Sequence, residues 1–204
     1  MGRRFQFERK KDRFYRAAQE EGLRSRAAFK LGFLATRFPV FHHGDRVLDL
    51  GAAPGGWTIV ARETIGPRGR VVAVDPRPVD PVEGVEVVRG LVGDPRLAAR
   101  LGPEPFDVVL SDMSPRISGA WSTDHARSVA LVRSAFHLAQ QVLREGGRFV
   151  AKVFDGDLVP ELVAEMEPSF ERLQRSKPPA SRERSSELYL IGLGYLRAAE
   201  TRSG

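Results

Sequence analysis

The sequence predicts an α/β fold: a Rossmann-like, doubly wound sheet of seven strands, mostly parallel, with one antiparallel strand. Three observations predict it. From Asp45 onward, short apolar strands alternate with helical patterns, which implies crossovers and helices on both faces of a sheet. A glycine-rich turn at 51–56 follows the first strand and opens a helix. The last two strands lie close in sequence with no helical pattern between them, which favours a long hairpin and adds one antiparallel strand.

The elements follow in order. Residues 12–21 and 25–37 read as two helices broken at Gly22; Ser25 is a plausible N-cap for the second, with Ala27, Ala28, Leu31 and Leu34 near helical spacing. Val47–Leu50 is the first strand, and the glycine turn leads into a helix to about Ile65. Arg70–Asp75 and Val85–Val88 are strands two and three, Pro95–Leu101 is a short helix, and Phe106–Leu110 is a fourth strand ending at Asp112. Thr123–Arg144 reads as a long helix stopped by Gly146-Gly147. Phe149–Phe154, Phe170–Gln174 and Leu188–Leu193 are the last three strands, with a helix at Leu158–Met166. Residues 1–204 read as a single domain, with 1–40 a basic helical extension and 41–204 the α/β core.

Composition narrows the function. A chain of 204 residues, 42% hydrophobic, suits one soluble α/β domain. With no cysteine, disulfides, thiolate zinc sites and cysteine nucleophiles are excluded. No apolar run approaches a membrane span and no signal-peptide pattern opens the chain, so a cytoplasmic protein is expected. The four histidines, His42, His43, His125 and His137, lack metal-ligand spacing, so no metal is expected. The net charge of +6 is unevenly placed: residues 1–30 hold ten Lys/Arg against four Asp/Glu, and the other 174 residues hold 22 of each sign. A second basic cluster lies at Arg172, Arg175, Lys177, Arg182 and Arg184. Two basic patches around a neutral core point to a polyanion such as nucleic acid.

The strongest local motif is Asp49-Leu50-Gly51-Ala52-Ala53-Pro54-Gly55-Gly56-Trp57. Glycines there let the backbone bend and approach a ligand. A dinucleotide turn would read G-x-G-x-x-G; here it reads G-A-A-P-G-G, and Pro54 removes a donor that a phosphate would use. The turn suits a ligand without phosphate, such as S-adenosylmethionine, whose amino-acid end meets backbone groups and a carboxylate such as Asp49. Asp75, at the end of the second strand, is placed to accept bonds from two ribose hydroxyls.

Asp112 and Lys152 end the fourth and fifth strands, so both project into the same crevice. Lys152 interrupts the apolar run Phe149-Val150-Ala151-Lys152-Val153-Phe154, and burying an unpaired ammonium costs several kcal/mol (~3 or more). It is either paired or shifted toward its neutral form. A neutral lysine can take the proton of a ribose hydroxyl, oriented by Asp112 and Glu187, with Lys30 opposing protonation of Lys152. Arg outnumbers Lys 27 to 5, which makes these two lysines conspicuous, because arginine cannot serve as a base.

From about Arg24 almost to the C-terminus, the sequence resembles the RrmJ/FtsJ family of RNA 2′-O-ribose methyltransferases. The resemblance is carried by Ser25-Arg26-Ala27-Ala28-Phe29-Lys30-Leu31, by Asp49–Trp57 and by Ser111-Asp112-Met113-Ser114-Pro115 with Ser118-Gly119. It continues through Val150–Phe154, Lys177-Pro178, Ser181-Arg182, Ser185, Glu187 and Tyr189. It implies a Rossmann-like methyltransferase fold, S-adenosylmethionine as methyl donor, and a Lys-Asp-Lys-Glu tetrad at Lys30, Asp112, Lys152 and Glu187. It implies cofactor contacts from Asp49, Gly51, Pro54, Gly55, Gly56, Trp57, Asp75, Leu91 and Asp112. The implied substrate is a uridine ribose of 23S rRNA in the large ribosomal subunit, met by a monomer; tRNA, an mRNA cap or a non-catalytic ribosome-binding role are the alternatives. Lys152 and Asp112 argue against the last of these. A nicotinamide oxidoreductase is disfavoured by Pro54 and by Lys152.

One departure stands out. Where the family has Gly-Asp after the third strand, this chain has Gly90-Leu91, with Asp94 three residues on. Either backbone alone meets the adenine or Asp94 reaches it; one lost hydrogen bond costs roughly 0.5–1.5 kcal/mol. Arg3, Arg4, Arg9, Lys10, Lys11, Arg13, Arg16, Arg24 and Arg26 are expected to hold phosphates on the approach to Lys30. Phe14, Tyr15 and, better, Tyr189 are candidates for stacking on a base.

Overall fold

A computed structural model describes residues 23–178 and 186–197. The expected helix at 12–21, the break at Gly22, the basic residues before Leu23, Phe14 and Tyr15, Arg182 and Arg184, and most of the hairpin connection lie outside the described residues.

Helix α1 (Leu23–Arg37) precedes β1 (Arg46–Leu50), α2 (Gly56–Ile65), β2 (Arg70–Asp75), β3 (Val85–Arg89), α3 (Leu97–Arg100) and β4 (Phe106–Ser111). Then come α4 (Trp121–Val142), β5 (Leu143–Phe154), α5 (Val159–Met166), a 3-10 turn, β6 (Phe170–Ser176) and β7 (Glu187–Tyr195). The strands form one sheet in the order β3-β2-β1-β4-β5-β7-β6. Neighbours from β3 to β5 pair parallel, and β7 is inserted antiparallel between β5 and β6. The expected topology, including the single reversed strand, is the observed one.

Alternation along each central strand divides the core. Val47, Val71, Val108, Leu110, Val150 and Ile191 face α1 and α2, whereas Leu48, Leu50, Val72, Val109, Phe149 and Ala151 face the layer built by α3, α4 and α5. Both faces are covered, which is why these strands read as continuous apolar runs. Strand order reverses between β1 and β4, so a crevice opens beyond their carboxyl ends, the usual ligand position in such sheets.

Some boundaries differ from expectation. Helix α1 already runs from Leu23, so Ser25 lies within it rather than capping it. The long helix ends at Val142, and the extended chain starts at Leu143, so Gly146-Gly147 lies inside β5 rather than in a loop. Register with β4 shifts there: Phe106 pairs with Leu143 and Val108 with Arg148. A Cβ on Gly147 would sit 2.7 Å from the Arg144 carbonyl oxygen, so the glycine pair serves a tight irregularity within the strand. The last strand begins at Glu187, one residue before the first predicted position, which puts that acid inside the sheet.

Candidate active site

The glycine turn owes its shape to its neighbours. Gly51 sits at φ +74°, and a Cβ there would lie 2.6 Å from the Met113 side chain, so its bareness admits the β4 loop. Gly55 holds φ +110° and donates its N–H to the Ala52 carbonyl at 2.6 Å. Gly51, Ala53 and Pro54 line the crevice, while Asp49, Trp57 and Gly56 are buried behind it. Trp57 donates its Nε1–H to the Ala27 carbonyl at 3.1 Å and packs against Tyr189, so it ties α1 to α2.

The Asp49 carboxyl is wholly buried. Thr58 donates its hydroxyl to Oδ2 at 2.5 Å, and Oδ1 has no hydrogen-bond partner. Burial pushes this carboxyl up to about 7; the Thr58 bond works against the rise, and the charges of Asp112 and Asp75 add to it. Asp75 lines the crevice from the end of β2. Its Oδ2 accepts from the Ala53 N–H at 3.1 Å and its Oδ1 from the Arg77 N–H at 2.8 Å. The exposed Arg77 guanidinium pairs with it at 3.2 Å. Leu91 is 63% exposed at the rim of the same crevice. Asp94 lines an adjoining hollow together with Gly90 and Leu91, and its Oδ1 accepts the Arg96 N–H at 2.9 Å.

The four residues of the expected tetrad converge on one wall. Lys152, at the end of β5 and 7% exposed, places Nζ 2.7 Å from Asp112 Oδ1 and 4.0 Å from Glu187 Oε1. The same amine donates to the Asp112 carbonyl at 3.2 Å. Lys30, from α1, forms an ion pair with Glu187 Oε2. The charges therefore alternate: Lys30, Glu187, Lys152, Asp112. Topology explains the meeting. Lys152 and Tyr189 are cross-strand partners, Phe154 and Glu187 are the next pair on that face, and Asp112 follows β4, which adjoins β5.

Tyr189 corrects an expectation. It is fully buried against Trp57 and cannot stack on a base. Burial and the charges of Asp112 and Glu187 hold its phenol well above the usual value of 10, so it remains an O–H group under the tetrad. Sequence reasoning also left out Thr58 and Arg77, and named Met113 only as part of the motif after β4. Thr58 sits in the first turn of α2, where a hydroxyl under a carboxylate is a recognisable pairing; Arg77 gave no local signal.

The crevice holding these groups has a volume of about 1030 Å³. Over residues 23–195 the sequence matches the family model described as FtsJ-like methyltransferase. The chain belongs to the FtsJ-like methyltransferase family. Among curated relatives, the ribosomal RNA large subunit methyltransferase E of Methanothrix thermoacetophila is 45% identical over 95% of this chain and 76% of its own length. That of Archaeoglobus fulgidus is 45% identical over 90% of this chain and 95% of its own. Among solved structures, a ribosomal RNA methyltransferase of Plasmodium falciparum superposes with a TM-score of 0.77 at 26% identity, covering 86% of this chain and all of that one (100%). Aeropyrum pernix fibrillarin with bound S-adenosyl-L-methionine, at 17% identity and a TM-score of 0.52, shares the fold. This FtsJ-like chain thus shares its sheet fold with these methyltransferases.

Proposed function

We propose that this FtsJ-like chain transfers a methyl group from S-adenosylmethionine to a ribose 2′-hydroxyl of RNA, at a uridine of 23S rRNA in the large ribosomal subunit. The observation that carries the reading is the convergence of Lys30, Asp112, Lys152 and Glu187 beside the glycine turn.

The residues fit the cofactor. The partnerless Oδ1 of Asp49 suits the ammonium of an amino-acid moiety, and the turn at Gly51, Pro54, Gly55 and Gly56 offers backbone without a phosphate cradle. Asp75 suits two ribose hydroxyls once Arg77 swings away, and Leu91 offers an apolar edge to adenine. Bound there, the cofactor supplies an electrophilic methyl group on a sulfonium.

The chain supplies the base and its orientation. Lys152, in its unprotonated form, would take the 2′-hydroxyl proton onto Nζ, leaving that oxygen free to accept the methyl group the cofactor would supply. Asp112 aims the amine and stabilises the ammonium it becomes; Glu187 joins Lys30 to the same cluster. Holding the ribose hydroxyl against the bound donor would contribute most of the acceleration. One chain provides all four groups, which supports action as a monomer. The names of the relatives supply the rRNA substrate, and the basic charge of residues 1–30 suits its phosphates.

The test is transfer of labelled methyl to large subunits from cells lacking the protein, followed by mapping of 2′-O-methyl positions. Wild type labels one rRNA ribose. Lys152→Arg folds as wild type but, unable to shed its proton, loses turnover by about a hundredfold or more. Near-normal turnover by Lys152→Arg would sink the base assignment, and label on tRNA or capped mRNA alone would move the substrate.

A further inference from the structure

Trp121 opens α4 with half its surface exposed, and Ile117, on the loop before it, is also exposed. The indole is nonetheless held in place. It lies nearly parallel to His125 (8°, centroids 6.0 Å apart) and to Phe154 (19°, 5.9 Å). His125 is itself buried and fixed: its Nε2 accepts the Leu158 N–H at 3.2 Å, and a Cβ on Gly156 would lie 2.7 Å from that nitrogen. Behind Trp121, Asp124 anchors the loop from β4, accepting the Ser118 N–H at 2.9 Å and its hydroxyl at 2.8 Å. The result is a rigid aromatic plate whose entropy of ordering has already been spent in folding.

Its position is what matters. Phe154 follows Lys152 by two residues on the same strand face, about 7 Å along the strand, and pairs in register with Glu187. Through Phe154 the plate thus stands one same-face position beyond Lys152 along β5, just outside the crevice lining. The crevice alongside carries Arg26, Arg77 and Arg116, which suit a phosphate backbone. Beside the plate itself is a carboxylate: Asp157 Oδ1 is 3.3 Å from His125 Nε2. A negative charge there repels phosphate, so a base rather than the backbone suits the ring. Every base offers a π-face to such a plate, which makes stacking tolerant of sequence.

We propose that Trp121 is a stacking platform for the nucleobase next to the target nucleotide, holding the RNA strand while the neighbouring ribose is presented to Lys152. The proposal rests on the RNA methyl-transfer reading above and adds to it a substrate contact outside the tetrad.

Of the two tryptophans in the chain, Trp57 is buried, so an RNA-induced change in emission reports on Trp121. Binding of single-stranded oligouridylate quenches wild-type emission, and Trp121→Phe, which keeps a π-face, binds within about threefold of wild type by anisotropy of labelled RNA. Trp121→Leu, apolar but without a π-face, binds about tenfold or more weakly, and its KM for large subunits rises to match while kcat stays within about twofold. Equal binding by Trp121→Leu and wild type, or unquenched wild-type emission, overturns the platform. So does a KM increase confined to whole subunits, which would mark a protein contact. Should wild type methylate no RNA while RNA still quenches its emission and Trp121→Leu still binds labelled RNA about tenfold more weakly by anisotropy, the chemistry falls and the platform stands. Active wild type with indifferent Trp121→Leu is the reverse.

Discussion

Asp49 has a carboxyl raised by burial to about 7, against an ordinary value of 3.8. Between those two values the unfolded chain releases a proton that the folded chain keeps, so this group makes the protein less stable as pH rises from about 4 to 7, and the loss levels off above 7. Asp49→Asn keeps an acceptor for Thr58 and removes the titration. Denaturant unfolding without cofactor is therefore expected to give equal stabilities near pH 4 and a more stable variant near pH 8, by at most about 4 kcal/mol. A difference that stays flat with pH would show that Asp49 is not protonated in the folded chain. The variant also loses affinity for the cofactor, since Oδ1 no longer offers a charge to an ammonium. Lys152 was visible in the sequence because a charged residue inside an apolar strand needs a reason, and Asp49 because it leads into the glycine turn. Tyr189 was misjudged for the complementary cause: its strand is covered on both faces, and a period-2 pattern cannot say which side of a two-faced layer meets solvent.

At the level of elements, the tetrad depends on α1, which delivers Lys30 to Glu187 on β7. The helix is held by Leu31 and Leu34 in the core and by the Trp57 bond to the Ala27 carbonyl. Trp57→Phe removes that interhelical bond and opens a small cavity, with an expected loss of about 2 kcal/mol in unfolding free energy. Because the strain falls on the mooring of Lys30, kcat is expected to drop more than cofactor affinity; unchanged kcat in a destabilised variant would detach Trp57 from Lys30 positioning. Trp57 appeared in the sequence as part of the cofactor turn, and its motif gave no hint that the indole points to a helix thirty residues earlier. Likewise, Gly146-Gly147 looks like a helix stop because glycine punctuates helices and bulges alike. Only the pairing of Leu143 with Phe106 shows that the strand has already begun. Strand positions were legible because parallel strands buried on both sides are compact apolar runs bounded by Gly, Pro and Asp.

For the whole molecule, sheet order brings the cofactor turn, Asp112 and Lys152 to one edge, and the tetrad balances its own charges there. The long-range attraction for RNA must therefore come from elsewhere, and the sequence locates it: all of the excess positive charge lies within residues 1–30, next to Lys30. Charges that act by releasing counterions from phosphates give a binding constant that falls steeply with salt, whereas the proton transfer proposed at Lys152 would have no such dependence. Replacing Arg3, Arg4, Arg9, Lys10 and Lys11 with Gln in the full chain should then raise KM for the RNA substrate at low salt and leave kcat unchanged. A log–log plot of KM against salt concentration should become shallower by up to about 4, near one unit for each phosphate contact removed. An unaltered slope would mean that these side chains stay clear of the RNA, and the work of steering it would pass to the arginines of the crevice, Arg26, Arg77 and Arg116.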